Sequence, residues 1–71
     1  MKLTIEIEQE DDGRWLAEVL ELSGVMVYGE SPEKAASRAQ ALALQVIAER
    51  LESGEIVLED SSIAFELGGA A

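Results

Sequence analysis

The segment from Trp15 to Ala35 constrains the fold of this chain more than any other part of the sequence. Two short strand patterns, two glycine-containing turns and the beginning of a helix follow one another there without a linker. Strands joined by such short turns pair antiparallel, because a parallel pair needs a crossover of about a dozen residues or more. We therefore expect an antiparallel sheet followed directly by a helix.

Alternation of polar and apolar residues predicts the first two strands. Residues 2–8 place Leu3, Ile5 and Ile7 on one face and polar residues on the other, among them Thr4, Glu6 and Glu8, as in a half-buried strand. The turn that follows ends in Asp12 and Gly13, a pair that tolerates the positive φ of a tight hairpin. The second strand is predicted at residues 14–20, with apolar side chains on both of its faces.

Further strands are predicted on either side of the helix. Residues 25–28 are apolar throughout, which favours a third strand that is central in the sheet or covered on both faces. Residues 55–60 fit either a short strand or an extended connection. Alternation at 62–67 predicts a fourth strand, and residues 68–71 are expected to be a flexible tail.

Three residues mark the beginning of the helix. Ser31 supplies a capping hydroxyl, Pro32 suits the first turn, and Glu33 faces the positive end of the helix dipole. The helix is expected to end near residues 52–53, before Gly54. The side chains predicted to pack on the sheet are Ala35, Ala39, Leu42, Ala43, Val46 and Ile47.

Apolar surface remains after these elements have been paired. Leu44 and Leu51 fall to the side of the helix, and alanines at 36, 41 and 48 widen its apolar arc beyond what one sheet needs. One sheet face has nothing in the chain to cover it, which predicts a homo-oligomer, either a symmetric dimer or a tetramer. If Trp15, Val19, Val25 and Val27 face the helix, the oligomer interface comprises Leu16, Leu20, Met26 and Tyr28; the opposite assignment remains open.

Composition limits the chemistry of this single 71-residue domain. Without cysteine or histidine, it has no disulfide, thiolate metal site or imidazole base, and we expect no cofactor. Fifteen acids against five bases give a net charge of −10, which opposes direct binding to nucleic acid. The acids either keep the protein soluble or meet a basic partner. No apolar stretch approaches the ~20 residues of a membrane span, so we expect no membrane contact and a cytoplasmic location.

The order of motifs resembles that of the HicB antitoxin family. An aromatic residue followed by x-Ala-x-Val corresponds to Trp15 to Val19, and the acid-Leu-x-Gly turn corresponds to Glu21 to Gly24. The Gly-acid-Ser step at Gly29 to Ser31 and the acidic, alanine-containing helix start complete the match, so the likeness covers residues 2–53. In the family, prolines commonly flank the acid-Leu pair, and this chain has Leu20 and Ser23 there. A cysteine commonly follows the glycine of the family motif, and this chain has Val25 there. The DNA-binding extension of many family members is also missing from this sequence, so operator binding is not carried over.

The elements predicted from the residues give one α+β domain over residues 1–71 with the order β-β-β-α-β, in which the first three strands form an antiparallel meander. The resemblance implies that this domain has a partial ribonuclease H-like fold. It also implies that the chain neutralises a small, basic, HicA-like toxin that cleaves messenger RNA. The candidate partner-binding residues are Glu10, Asp11, Asp12, Glu18, Glu21 and Tyr28. A second hypothesis is a stand-alone oligomeric scaffold or small-ligand binder without a toxin.

Two metal-based hypotheses are weaker. The acids Glu8, Glu10, Asp11 and Asp12 lack the alternate ligand positions of an EF-hand loop and are better explained as a solvated hairpin. A two-metal nuclease would need carboxylates such as Glu6, Glu18 and Glu33 to converge on one site. Because the first two also fit as polar residues of alternating strands, and fold likeness does not transfer activity, we expect no enzyme.

Overall fold

Within the described residues, four strands and one helix form an α+β unit, which confirms the α+β part of the predicted fold class. A computed structural model describes residues 1–58 and 62–68. The elements are β1 (Lys2–Gln9), β2 (Trp15–Val19), β3 (Met26–Gly29), α1 (Pro32–Ser53) and β4 (Ala64–Leu67).

The sheet is mixed, with the strand order β3-β2-β1-β4. β1 pairs antiparallel with β2, and β2 pairs antiparallel with β3, whereas β4 returns from the helix to pair parallel with β1. The prediction that the third strand is central or doubly covered is therefore wrong, because β3 lies at an edge. Its apolar run reflects two apolar faces: Val27 faces the helix, whereas Met26 and Tyr28 lie on the other side and are 52% and 36% exposed.

Hydrogen bonds close the hairpin between β1 and β2 as the sequence predicts. Gly13 has a φ of +91°, a conformation that costs other residues a steric clash. Its N–H donates to the carbonyl of Glu10 at 2.9 Å, and the N–H of Glu10 donates to the carbonyl of Arg14 at 2.8 Å. The turn thereby fixes the register of the two strands, which pairs Glu8 with Leu16 and Glu6 with Glu18.

Both ends of α1 confirm the predicted caps. The Lys34 N–H donates to the Ser31 hydroxyl at 3.1 Å, and Pro32 occupies the first turn. At the other end Gly54 has a φ of +80°, and the N–H of Glu55 donates to the Arg50 carbonyl at 2.9 Å. The helix therefore begins and ends where residue types alone place its ends.

The core lies between α1 and one face of the sheet. The fully buried helix residues are Ala35, Ala39, Ala43 and Ile47, and they pack on Leu3, Ile5, Ala17, Val19, Leu22 and Val25. Leu42 and Val46 are half-buried against the same core, as are Trp15 and Val27. The open question of the sheet faces is thus settled, because Trp15, Val19, Val25 and Val27 face the helix.

Alanine and glycine let the helix approach the sheet closely. A β-carbon built on Gly29 would lie 2.5 Å from the backbone nitrogen of Ala35, so only glycine fits at the end of β3. Ala35 itself is fully buried. The first turn of α1 therefore rests directly on the backbone of β3.

Among the described residues, those after the helix contain less regular secondary structure than those before it. Residues 56–58 contain no strand, and residues 59–60 of the predicted short strand or connection lie outside the described residues. β4 begins at Ala64, two residues later than predicted, and the Ala64 N–H donates to the Met1 carbonyl at 2.8 Å. Of the predicted tail, Gly68 donates its N–H to the Ile5 carbonyl at 2.7 Å, and residues 69–71 lie outside the described residues.

The close contact between Gly29 and α1 predicts that adding a single methyl group at Gly29 strongly destabilises the fold. We expect Gly29→Ala to lower the free energy of unfolding by about 3 kcal/mol, because the new β-carbon must push backbone atoms apart. Gly24→Asn is the matched control, since nothing lies within 4 Å of its β-carbon position. Asparagine also tolerates positive φ, so we expect a loss of about 1 kcal/mol or less. Urea denaturation at one fixed protein concentration measures the free energy of unfolding of both variants. Equal losses would contradict the explanation that the Gly29 β-carbon collides with α1.

Candidate functional site

The face of the sheet that points away from α1 is the candidate functional site, and we call it the outer face. Two rows of paired residues cross it from β1 to β3. One row runs Glu8, Leu16, Tyr28 and the other runs Glu6, Glu18, Met26. Both rows are acidic on β1 and apolar on β3. Leu20, which directly follows β2, is 49% exposed and extends the apolar side.

Tyr28 is the aromatic side chain that the described residues place on the outer face, and it makes several contacts there. The Arg14 guanidinium carbon lies 4.0 Å from the centre of its ring, as in a cation–π contact. The Tyr28 hydroxyl reaches Glu10 Oε1 at 3.5 Å, a long hydrogen bond. From the helix, Arg38 Nη1 donates to the Tyr28 carbonyl at 2.7 Å. The contacts with Arg14 and Glu10 orient the ring, and the Arg38 contact fixes the backbone beneath it, which suits an anchor residue of an interface.

Asp12 in turn orients Arg14. Its carboxylate accepts the Arg14 backbone N–H at 3.0 Å and the Arg14 Nε–H at 2.7 Å. These two hydrogen bonds, the backbone one first, lower the pKa of the Asp12 carboxyl below its ordinary value. A pocket of about 270 Å³ opens beside this corner, lined by Arg14, Tyr28, Gly29, Glu30 and Arg38.

The predicted partner-binding residues occupy three separate places. Glu10 and Asp12 lie with Tyr28 at the hairpin corner, and Asp11 is exposed in the same turn. Glu18 lies mid-face between β1 and β3. Glu21 lies in the turn after β2. The structure therefore brings Glu10, Asp12 and Tyr28 together and leaves Glu18 and Glu21 apart from them.

Glu21 ties the turn after β2 to the first strand. Its carboxylate accepts the Thr4 backbone N–H at 2.7 Å and the Thr4 hydroxyl at 2.8 Å. The backbone hydrogen bond first, and the hydroxyl second, lower the pKa of the Glu21 carboxyl. This acid therefore has a structural task in addition to the predicted partner contact.

Sequence reasoning did not assign roles to Arg14, Arg38 and Thr4. No basic cluster in the sequence marks Arg14 or Arg38, yet both contact Tyr28. Alternation places Thr4 on the outer face, but no local signal links it to Glu21, which is 17 positions away. Contacts between residues this distant in sequence depend on the pairing of β1 with β2.

The acids proposed for a metal site do not converge. Glu6 and Glu18 are paired on the outer face, whereas Glu33 opens α1 on the opposite side of the sheet. Among the described residues, no group of three or more acids is placed to hold a metal ion. Within residues 1–58 and 62–68, α1 is the only helix, and it is not apolar enough to cross a membrane.

The lowered pKa of Glu21 predicts a pH-dependent contribution to stability. The folded protein binds this proton more weakly than the unfolded chain does, so the carboxylate stabilises the fold above the unfolded pKa of about 4.3. That contribution is lost as the pH falls through the lower, folded value. We expect Glu21→Gln to be destabilised relative to the wild type at pH 7, with the difference shrinking below a pH of about 4.

Glu49→Gln is the control for this measurement, because Glu49 is an exposed acid on α1. Urea denaturation of the three proteins across this pH range gives the comparison. A wild-type advantage over Glu21→Gln that stays constant down to pH 3, about one unit below the ordinary glutamate pKa, would argue against the Thr4 contacts as its source.

Comparison with known proteins yields no relative on which to base a function. No protein-family model, no curated protein and no solved structure matches this chain. The resemblance to the HicB family therefore rests on the order and spacing of residues between Trp15 and Ala35.

Proposed function

We propose that this chain is a HicB-like antitoxin module that binds and neutralises a small, basic, HicA-type toxin through its outer face. The observation that carries the proposal is the gradient across that face, from Glu6 and Glu8 on β1 to exposed Met26 and Tyr28 on β3. A partner for this face needs basic side chains beside an apolar patch. A small ribonuclease that holds RNA phosphates with lysine and arginine has the first of these features.

The mechanism is masking by complementary charge. Carboxylates on β1 and β2 attract the toxin over a distance and then pair with the cations that would otherwise contact RNA. The apolar side seals the interface, with Tyr28 as a preoriented anchor beside Leu16 and with Met26 and Leu20 further along the face. Removal of the toxin's phosphate-binding cations lowers its affinity for messenger RNA without any chemical step by this chain.

The topology is compatible with the partial ribonuclease H-like fold that the resemblance implies. An antiparallel meander, a helix across one face and a last strand parallel to β1 are the parts present here. We assign this fold and a cytoplasmic location as parts of the same proposal. A stand-alone scaffold or small-ligand binder is the alternative, and the pocket beside Tyr28 is the observation that favours it.

Charge reversal on the outer face tests the proposal. The purified chain is mixed with a purified small, basic HicA-type protein, and two quantities are measured: the cleavage of a messenger RNA and the dissociation constant of the complex. We expect wild-type protein to suppress cleavage and Glu18→Lys to weaken binding at least about tenfold, because a like charge then faces the toxin's cations. Raising the salt concentration should weaken the wild-type complex.

Glu49→Lys carries the same change on the exposed side of α1 and should alter binding less than about twofold. Equal losses from both variants would mean that net charge, and not the outer face, governs binding. If the wild-type chain leaves cleavage unchanged while binding a small molecule at the Tyr28 pocket, the antitoxin proposal is wrong and the alternative is correct.

A further inference from the structure

In the described part of the chain, the helix has a second apolar face that is exposed. We call it the helix stripe, and it consists of Ala41, Leu44, Ala48 and Leu51. All four residues are exposed, with Leu44 at 46% and Leu51 at 39%. Their spacing of three, four and three residues keeps them in one line along a helix. At ~100° per residue, this line points away from the buried alanines that contact the sheet.

The charge of the helix differs from that of the rest of the chain. Three acids and three bases lie within Pro32–Ser53, so α1 has no net formal charge. The whole net charge of −10 therefore lies outside the helix. A second copy of this chain is therefore repelled by the acidic outer face and less by the helix.

We propose that the helix stripe binds the same stripe of a second copy, with the two helices antiparallel across a two-fold axis. In that arrangement Ala41 faces Leu51 of the partner subunit, and Leu44 faces Ala48 of the partner subunit. Each layer then combines one small and one large side chain, and the two-fold axis repeats both contacts. A parallel pair would alternate Leu–Leu layers with Ala–Ala layers and leave gaps beside the alanines.

Charge complementarity beside the stripe supports the antiparallel orientation. Arg38, Gln45 and Glu52 follow the stripe along one flank at intervals of seven residues. When the helices run antiparallel, Arg38 meets Glu52 of the partner subunit, and Gln45 meets Gln45 of the partner subunit. Arg38 uses Nη1 for the Tyr28 carbonyl and keeps further N–H donors for this contact.

The other candidate surfaces suit a second copy less well. Pairing of two outer faces would bring the carboxylates of Glu6, Glu8 and Glu18 against the same acids of the partner, which is unfavourable. Edge pairing through β3 is limited by its four residues and by Arg38, which already caps the Tyr28 carbonyl. The helix stripe therefore replaces the outer face as the proposed oligomer interface.

This dimer leaves both outer faces free and pointing in opposite directions, because each sheet lies on the far side of its helix. The stripe spans about 15 Å along the axis, which makes a small interface and a dimer that dissociates in the micromolar range. The proposal does not depend on the antitoxin function, since it concerns a different side of the molecule.

Matched charged substitutions test the interface. Sedimentation equilibrium measures the monomer–dimer dissociation constant of the wild type, Leu44→Glu and Leu20→Glu, while circular dichroism checks that each is folded. Leu44 is 46% exposed and Leu20 is 49% exposed. The two substitutions therefore remove side chains of nearly equal burial from two different surfaces. We expect Leu44→Glu to raise the dissociation constant at least about tenfold and Leu20→Glu to leave it within about twofold.

The orientation has its own test. Glu52→Arg should weaken the dimer several-fold, because the new cation meets Arg38 of the partner subunit, and adding Arg38→Glu should restore it. High salt should tighten the wild-type dimer, because it screens repulsion between two acidic chains. A wild-type protein that stays monomeric, or a dimer disrupted by Leu20→Glu and retained by Leu44→Glu, would overturn the proposal. Failure of the double variant to recover would overturn the antiparallel arrangement.

Discussion

Close packing of α1 on the sheet is the contact on which the rest of this structure depends. Three alanines and Ile47 form the buried side of the helix, and Gly29 removes the one β-carbon that would hold its first turn away from β3. Because small side chains fill this contact, the core is thin, as expected for a domain of this length. The same contact decides which sheet face is buried and which is left for a partner.

Most elements could be predicted from local residue types, whereas their places in the sheet could not. Ser31, Pro32 and Gly54 predicted both ends of the helix, because capping depends on neighbours only a few residues away. The edge position of β3 was not predictable from its apolar run. It depends on β4 pairing with β1 at the other edge, after a connection that carries no strong pattern.

The candidate site shows the same division between local and distant effects. Alternation along β2 and β3 correctly grouped Leu16, Leu20, Met26 and Tyr28 on one face, once the helix side was known. The arginine contacts to Tyr28 and the Glu21 contacts to Thr4 join residues on different elements. Such contacts depend on the register of the strands and on the position of the helix. Neither the register nor the helix position can be predicted from the spacing of the contacting residues in the sequence.

The uneven distribution of charge gives this small chain two surfaces that differ in which kind of partner they favour. The neutral helix tolerates a second copy of the same chain, whereas the acidic strands repel a copy and attract cations. Salt acts with opposite sign on the two surfaces, since it relieves repulsion between copies and weakens attraction to a basic partner. In the proposed dimer a thin core would gain stability, because burial of Leu44 and Leu51 adds apolar contact that one domain of this length does not supply alone. The dimer proposed above has two acidic faces in one particle, so two basic partners of the proposed kind would not compete for the same residues.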